Sequence, residues 1–316
     1  MSNMVTTAGS RGAELCSSPC NLCPRNCQAL REKGQTGYCG VGEQIRVARA
    51  ALHMWEEPCI SGTKGSGAVF FSGCGLRCCF CQNHDIAIGS RGRAVSVERL
   101  GEIFLELKEK GAANINLVTG AHYVPQIIEA LDMARRNGLD IPVVYNSSGY
   151  EKTETLKLLE GYVDIYLPDL KYLDPELAQK FSYAPDYVQA AKAAIGEMVR
   201  QTGKCEFGED GYIRKGTIVR HLILPGHTGN SIKALRYLHE TYGEDIYISI
   251  MNQYTPVRKF VEFKELNRKV TKREYEKVLD AAVDMGIQNG FIQEGETASE
   301  SFIPDFDYEG VEKNTP

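Results

Sequence analysis

The sequence predicts an α/β protein built on a parallel sheet. Short apolar segments alternate with longer segments of helical periodicity, and this alternation repeats six times along the chain. Such alternation is typical of parallel strands that are joined by right-handed helical crossovers. The 316 residues, of which 43% are hydrophobic, suffice for one large α/β domain and a small additional module.

Composition and charge argue against several classes of protein. The formal net charge of −5 argues against a dedicated nucleic-acid-binding protein. No apolar run approaches the ~20 residues that a membrane-spanning helix requires. Residues 1–15 are polar and small and contain no apolar signal core, which predicts a disordered start and a cytoplasmic protein. The eleven cysteines cluster at short spacings, a pattern typical of metal binding in a reducing compartment.

The first chemical motif is a set of four cysteines with the spacing C-x2-C-x3-C-x11-C, formed by Cys20, Cys23, Cys27 and Cys39. Four thiolates suffice for a closed tetrahedral site, which would hold structural zinc or an auxiliary iron–sulfur cluster. Zinc is slightly favoured, because the spacing differs from that of ferredoxins. Cys16 is a substitute ligand. Glycine-rich loops with few apolar residues need such a metal to fold.

A connector with an unusual composition follows this module. It holds the only tryptophan of the chain, Trp55, and two adjacent carboxylates, Glu56 and Glu57. Pro58 forces the residue before it toward an extended conformation, as expected for a connector. The two glutamates either face an active site or occupy a solvated turn, and the sequence favours neither alternative.

The second cysteine motif, C-x3-C-x2-C, directly follows the first predicted strand at 68–71. Its members Cys74, Cys78 and Cys81 can hold three irons of a [4Fe–4S] cluster. No fourth cysteine follows at ferredoxin spacing, so one iron would remain open to a small molecule. A metal-binding loop at the carboxyl end of a strand stands where open α/β folds and barrels place their chemistry.

Structural zinc is the alternative for this loop. Cys79 or Cys59 could complete a set of four thiolates. The spacing differs from the paired C-x2-C knuckles of zinc ribbons, and an aromatic residue lies inside the motif, so an iron–sulfur cluster is favoured. Cys79 lies within the loop and is not expected to be a ligand.

The remaining chain contains the repeating strand and helix segments. Further strands are predicted at 115–118, 141–145, 163–167, 217–224 and 246–251. Helices are predicted at 97–110, capped by Ser96, at 124–138, ending at Gly138, and at 153–159. Another is predicted at 175–200 with an interruption near Pro185. The last two helices are predicted to begin at the cap Asn230 and at the capping box Thr271-x-x-Glu274. A short strand is expected near 290–293, followed by an acidic surface or lid segment.

The chain resembles relatives of pyruvate formate-lyase activating enzymes in the radical S-adenosylmethionine (SAM) superfamily, and among them the branch usually called PflX. The resemblance rests on both cysteine motifs and on five further segments: His53-x-Trp55-Glu56-Glu57-Pro58, Ser61-Gly62-x-Lys64-Gly65-Ser66-Gly67, Cys81-Gln82-Asn83, Asp169-Leu170-Lys171 and Leu224-Pro225-Gly226. It implies a six-stranded partial (β/α)6 barrel over residues 67–290. A cysteine-rich metal module and connector at 16–66 would precede this barrel, and a carboxyl-terminal extension at 291–316 would follow it.

The resemblance also implies an activity. Cys74, Cys78 and Cys81 would hold a catalytic [4Fe–4S] cluster whose remaining iron binds SAM. One electron, from a donor such as flavodoxin or ferredoxin, would split SAM into methionine and a 5′-deoxyadenosyl radical that takes a hydrogen atom from a substrate. The substrate is either a glycyl-radical enzyme, a small molecule or another protein. The alternatives are an iron–sulfur redox or scaffold protein that binds SAM without turnover, and a zinc-binding interaction module.

Further cofactor contacts are implied by position in the family pattern. Phe80 would pack near the adenine, Asp169 and Lys171 would lie near SAM, and a monovalent cation could accompany Asp169. The expected ribose and carboxylate contacts are Asn146, Ser148 and Arg220.

One segment departs from the family pattern. The Gly-Gly-Glu-Pro segment of activating enzymes is replaced here by Thr119-Gly120-Ala121-His122, so Thr119 or His122 would hold the SAM amino group. This departure argues against a glycyl-radical partner. His227 and Tyr254, which follow the last two predicted strands, are candidate substrate contacts.

Overall fold

The computed structural model of the chain describes residues 19–293 and 304–313. The segment 1–15, which is predicted to be disordered, and the candidate ligand Cys16 lie outside the described residues. Within the described ranges, no helix combines the length and the apolar character that crossing a membrane requires.

Strands and helices alternate through most of the described chain. The strands are β1 (Ile45–His53), β2 (Ser66–Phe71), β3 (Arg93–Val95), β4 (Ile115–Val118), β5 (Val143–Ser147), β6 (Ile165–Pro168), β7 (Glu206–Phe207), β8 (Ile213–Leu222), β9 (Tyr247–Met251) and β10 (Gly290–Ile292). The helices are α1 (Pro58–Ser61), α2 (His84–Ala87), α3 (Val97–Glu109), α4 (Val124–Arg136), α5 (Thr153–Leu158), α6 (Pro175–Ser182), α7 (Tyr187–Thr202), α8 (Thr228–Tyr242) and α9 (Lys272–Asp284).

The sheet is parallel at its centre and open at its ends. Its order is β10-β9-β8-β6-β5-β4-β2-β1-β3, and the strands from β10 to β2 pair in parallel. β1 pairs antiparallel with β2, and β3 pairs antiparallel with β1. Among the described residues the two end strands do not pair with each other, so the sheet forms an unclosed barrel. The predicted α/β partial barrel is confirmed.

Alternate residues of β4 face two different environments. Ile115 and Leu117 of β4 pack into the core beneath α3 and α4. Asn116 and Val118, between and after them, face the barrel interior, where Asn116 binds a glutamate and Val118 lines a cavity. This alternation follows from the two-residue period of a strand. It makes the interior partly polar although every residue of β4 is buried.

Local sequence signals set most helix boundaries as predicted. The Ser96 side chain accepts a hydrogen bond from the Arg99 amide, and Thr271 and Glu274 form the expected capping box. The predicted interruption near Pro185 separates α6 from α7, with Tyr183 in the left-handed conformation. Asn230 was expected to cap its helix, and this expectation is wrong. α8 begins at Thr228, and the Asn230 side chain instead binds the backbone at Lys171 and Leu173.

Residues 54–62 close the barrel at the end opposite the cysteine loop, and we call this segment the plug. His53, the last residue of β1, pairs with Ser66 at the start of β2, whereas the cysteine loop follows the end of β2. Asn114 donates a hydrogen bond of 2.8 Å to the Ile60 carbonyl, which fixes the plug to β4. Cys59 and Ile60 then pack against interior residues of the sheet, namely Val144, Ile165, Leu167, Ile213 and Ile218.

The described carboxyl-terminal residues 304–313 return to β1. Ala50 donates a backbone hydrogen bond of 2.8 Å to Glu309, and Tyr308 donates one of 3.1 Å to Ala48. The Phe306 ring lies 5.6 Å from Phe70, a residue of β2 that lines the barrel interior. The sheet therefore joins β1 of the expected module to β2 of the expected barrel, and the boundaries 16–66, 67–290 and 291–316 stay a prediction.

Candidate active site

A cavity of about 420 Å³ opens beside the loop that follows β2. Cys74, Cys78 and Cys81 all line this cavity. Cys79 is not part of the lining, and its backbone N–H donates a hydrogen bond of 2.8 Å to the Phe181 carbonyl. The loop therefore turns three of its four thiols toward one enclosed space, and this size is typical of small-molecule sites.

The three thiols are buried and lie near a positively charged side chain. Burial raises the pKa of all three, and raises that of Cys81 to about 12, while the positive charge of Lys171 acts to lower each one. The Ser182 hydroxyl donates a hydrogen bond of 3.0 Å to Cys78 Sγ. Buried thiols lose their protons when a cation compensates the negative charge, and metal ions provide such compensation.

A connected set of charged side chains lies at the ends of β5, β6 and β8. Lys171 Nζ lies 2.5 Å from Asp169 Oδ2, and Arg220 Nε lies 3.2 Å from Asp169 Oδ1. Arg220 Nη2 also donates a hydrogen bond of 2.6 Å to Asn146 Oδ1. Burial acts to raise the pKa of Asp169, but Lys171 and Arg220 outweigh it and hold that pKa below its usual value.

Glu56 of the plug completes this network, which was not predicted. Its Oε2 accepts a hydrogen bond of 3.0 Å from Arg220 Nη1. Its Oε1 accepts hydrogen bonds of 3.0 Å from Asn116 and 3.2 Å from Asn146. The neighbouring Glu57 also lines the cavity, so both glutamates face the cavity and do not occupy a solvated turn.

Buried hydrogen bonds fix the loops that carry these side chains. The Tyr187 hydroxyl lies 2.9 Å from the carbonyl oxygens of both Ser148 and Asp169, and it accepts a hydrogen bond of 2.9 Å from the Lys171 amide. The Asn230 side chain donates one of 3.1 Å to the Lys171 carbonyl. Tyr187 and Asn230 are therefore positioning residues that sequence patterns did not identify.

A family model described as the radical SAM superfamily matches residues 68–238, which is more than half of the chain. The chain belongs to the radical SAM superfamily. The matched range includes the cysteine loop together with Asn146, Asp169, Lys171 and Arg220. Membership implies that the protein is an enzyme with a [4Fe–4S] cluster and SAM as its cofactors.

Three similar proteins give this assignment its context. An uncharacterised protein of Methanocaldococcus jannaschii is 27% identical over 270 residues, which are 83% of this chain and 74% of that protein. The pyruvate formate-lyase-activating enzyme of Clostridium pasteurianum is 27% identical over 113 residues, which are 34% of this chain and 46% of that enzyme. SuiB of Streptococcus suis, solved with its precursor peptide SuiA, has 14% identity and a TM-score of 0.48, over 71% of this chain and 47% of SuiB. The chain spans less than half of the activating enzyme and of SuiB.

The residues of the radical SAM site fit the cofactors that the family implies. Three thiols from one loop match the three protein ligands of a [4Fe–4S] cluster that leaves one iron open. The hydrogen bond from Ser182 to Cys78 Sγ is the type of contact that tunes cluster potentials. A monovalent cation beside Asp169 would compete with Lys171 and Arg220, which already bind both carboxylate oxygens.

Most of the residues expected to contact SAM line the same cavity. These are Phe80, Thr119, Asn146, Ser148, Asp169, Lys171 and Arg220. The Phe80 ring packs 6.1 Å from Tyr254, which also lines the cavity. Thr119 has a left-handed backbone (φ 61°) and donates a hydrogen bond of 2.8 Å to the Asn146 carbonyl. Such a conformation is uncommon for threonine and is typical of functional sites.

His122 lies elsewhere, behind the cysteine loop. Its Nε2 is 2.7 Å from the Ser72 carbonyl, and its own carbonyl accepts a hydrogen bond of 2.6 Å from Arg31. Burial lowers the pKa of His122 to about 3, which keeps the ring neutral. In this position the ring supports the loop backbone, and its contact with SAM stays a prediction.

The two candidate substrate contacts also differ in position. Tyr254 lines the cavity, but its hydroxyl donates a hydrogen bond of 2.7 Å to the Leu266 carbonyl. His227 is not among the described residues of the lining, and its ring packs 5.3 Å from that of Phe181. Tyr254 therefore lines the cavity with a hydroxyl that is already bonded.

The four amino-terminal cysteines lie together beside the radical SAM loop. The pKa of Cys23 is raised to about 12 by burial and by the nearby Cys39 and Cys20, and that of Cys39 is raised by burial and by Cys20 and Cys27. The Cys39 carbonyl accepts a hydrogen bond of 3.2 Å from the Cys74 amide. In the described ranges, no three His, Cys, Asp or Glu side chains are arranged to hold a single metal ion. A metal at these cysteines stays a prediction.

Proposed function

We propose that the protein cleaves SAM reductively and uses the product radical to abstract a hydrogen atom from a substrate in the same cavity. The observation that supports this proposal is the convergence of three cysteines from one loop with the Asp169, Lys171 and Arg220 network on one cavity. When bound, the [4Fe–4S] cluster and SAM supply a one-electron cleavage that yields methionine and a 5′-deoxyadenosyl radical.

The cysteine loop would hold the cluster through Cys74, Cys78 and Cys81. The ammonium group of Lys171 opposes the rise in pKa that burial causes in all three thiols, so it would help to stabilise their deprotonated state. Ser182 would donate its hydrogen bond to Cys78 and orient that sulfur. The electron would come from a small redox protein such as flavodoxin or ferredoxin.

The strand ends would hold SAM. Its methionyl part carries one ammonium and one carboxylate group, and Asp169 and Lys171 offer the complementary charges within 2.5 Å of each other. Asn146 and Ser148 would provide polar contacts to the ribose, and Phe80 would pack against the adenine. Tyr187 would keep the loops after β5 and β6 at a fixed separation while SAM binds.

Apolar side chains would protect a radical from water and from unwanted hydrogen donors. The cavity lining includes the apolar side chains of Phe70, Leu76, Ile86, Val118 and Met251. Exclusion of water from such a site prevents side reactions of reactive intermediates. Activation of a glycyl-radical enzyme is the version of this function that similarity to the Clostridium pasteurianum activating enzyme suggests, over 34% of the chain.

The test is the formation of 5′-deoxyadenosine. The protein is purified without oxygen, reconstituted with iron and sulfide, and incubated with SAM and dithionite. The parent and Cys79→Ala should both form 5′-deoxyadenosine, because Cys79 is not part of the cavity lining. The triple variant Cys74→Ala/Cys78→Ala/Cys81→Ala should form none. A parent protein with a full cluster and bound SAM that forms none would favour a redox or scaffold role.

A further inference from the structure

Glu57 is a buried carboxylate of the plug that lines the cavity with one oxygen unpaired. Its exposed fraction is 8%, and its Oε2 has no hydrogen-bond partner among the described residues. A buried carboxylate oxygen without a partner costs folding free energy, and such atoms are rare unless a ligand or another function explains them. Glu57 therefore suggests a partner that binds in the cavity.

The other two carboxylates of the cavity are already paired. Glu56 accepts hydrogen bonds from Arg220, Asn116 and Asn146. Asp169 binds Lys171 with one oxygen and Arg220 with the other. Glu57 is thus the carboxylate whose hydrogen-bonding capacity remains available to a ligand.

The charges of the lining point to the chemistry of that ligand. Apart from the cysteines, the described lining residues include three carboxylates, Glu56, Glu57 and Asp169, but only two cationic side chains, Lys171 and Arg220. The nearby imidazole of the lining does not supply a third cation, because burial lowers the pKa of His53 to about 4. Burial raises the pKa of Glu57, although the charge of Arg220 acts to lower it. A ligand with one positive charge and hydrogen-bond donors would stabilise the charged form of Glu57 and balance the lining.

Glu57 belongs to the plug, whose neighbouring Glu56 bonds Arg220 and Asn146, and it does not belong to the cysteine loop. The plug closes the end of the barrel near the start of β2, and the cysteines follow the end of β2. Six residues of strand separate these ends, which corresponds to roughly 20 Å of extended chain. Lys171 acts on the pKa of all three cysteines, so it lies on their side of the cavity, and the plug side with Glu57 is the part that would remain for a substrate.

We propose that Glu57 binds a protonated amine of the substrate, which makes the substrate a small molecule with a primary ammonium group. This inference rests on the proposed function, because it assigns the cysteine side of the cavity to SAM. The cavity of about 420 Å³ must hold the cluster, SAM and the substrate, which favours a small amine over a folded protein partner.

The test measures binding of an ammonium probe by calorimetry. n-Butylammonium chloride, and n-butanol as its uncharged counterpart, are titrated into the reconstituted protein with SAM present. The variant Glu57→Gln keeps the shape of the side chain and removes its charge, and Glu109→Gln at an exposed position of α3 is the matched control. The parent and Glu109→Gln should bind n-butylammonium at least tenfold more tightly than n-butanol. Glu57→Gln should lose this preference.

Three results would overturn the inference. Unchanged binding of n-butylammonium by Glu57→Gln would show that another group binds the amine. A matching loss of SAM affinity in this variant would instead assign Glu57 to the SAM site. Formation of 5′-deoxyadenosine by the same parent preparation tests the proposed function separately, so failure of amine binding with intact SAM cleavage would remove this inference alone.

Discussion

Arg220 and Glu56 form an ion pair inside the barrel, with Nη1 of the arginine 3.0 Å from Oε2 of the glutamate. Their side chains are only 14% and 7% exposed. The pair joins β8 to the plug, and through Asn146 and Asp169 it reaches the ends of β5 and β6. The cavity is therefore held by one polar network that connects its closed end with its cofactor end.

Removal of Arg220 should destabilise the fold strongly. Arg220→Ala would leave Glu56 and Asp169 partly unpaired in a buried site, which costs about 3–5 kcal/mol of unfolding free energy. Urea unfolding of the protein before reconstitution measures this loss. The control Arg214→Ala, also in β8, removes an exposed pair with Asp210 and should cost far less, because solvent screens exposed ion pairs. Equal losses in both variants would contradict a special role for the buried network.

Glu151 should make stability fall as the pH rises from about 4.5 to 7. Burial raises its pKa from 4.5 to about 7, although hydrogen bonds from Ser147 and Tyr145 act to lower it. Between these pH values the folded protein keeps a proton on Glu151 that the unfolded chain releases. The contribution of Glu151 to folding stability is therefore fully present below pH 4.5. The loss on reaching pH 7 is about 3 kcal/mol.

The measurement for Glu151 is urea unfolding at a series of pH values. Glu151→Gln should flatten the decline between these pH values, because the amide does not titrate. Glu154→Gln, an exposed residue of α5, should retain it. An identical pH profile for Glu151→Gln and the parent would disprove the assignment.

Ser182 should set the reduction potential of the cluster. Its hydroxyl donates to Cys78 Sγ at 3.0 Å and withdraws electron density from that sulfur. Ser182→Ala should therefore make the midpoint potential more negative, because reduction adds charge that the lost hydrogen bond no longer stabilises. Redox titration followed by electron paramagnetic resonance gives the shift. The control Tyr172→Phe removes a different hydrogen bond of Ser182 and should change the midpoint potential less. An unchanged midpoint potential in Ser182→Ala would refute the prediction.

The amino-terminal cysteines should bind a metal in addition to the cluster. We propose zinc at Cys20, Cys23, Cys27 and Cys39, and Cys23→Ala/Cys39→Ala should abolish the zinc content while the iron content persists. The matched control is Cys205→Ala, a cysteine near Thr217 on β8. Elemental analysis with sulfide determination gives the result. Extra iron and sulfide in place of zinc would identify an auxiliary cluster, and no change in metal content would refute the site.

The predictable parts of the structure are those that depend on local chemistry. Ser96 and Thr271 cap their helices through amides three residues away, so sequence patterns suffice to find them. Strand positions followed from apolar runs, with shifts of about two residues at several ends. β1 was not predicted, because two of its residues, Arg46 and Arg49, are charged, and its pairing depends on distant segments.

The parts that sequence reasoning missed depend on distant partners. Glu56 could have been a solvated residue, and its role follows from Arg220, which lies 164 positions away in the chain. Asn230 has the composition of a helix cap, but the Lys171 loop offers its side chain a buried partner 59 positions away. In both cases a tertiary hydrogen bond decided between two local alternatives.

Residues 304–313 also protect the sheet from other chains. β3 pairs with β1 only at residues 45–47. Residues 304–313 form hydrogen bonds with the backbone of Ala48 and Ala50, further along β1. An unpaired strand edge is a template for intermolecular pairing and aggregation. Loss of this segment should therefore cause self-association of the protein before it affects the binding of cofactors.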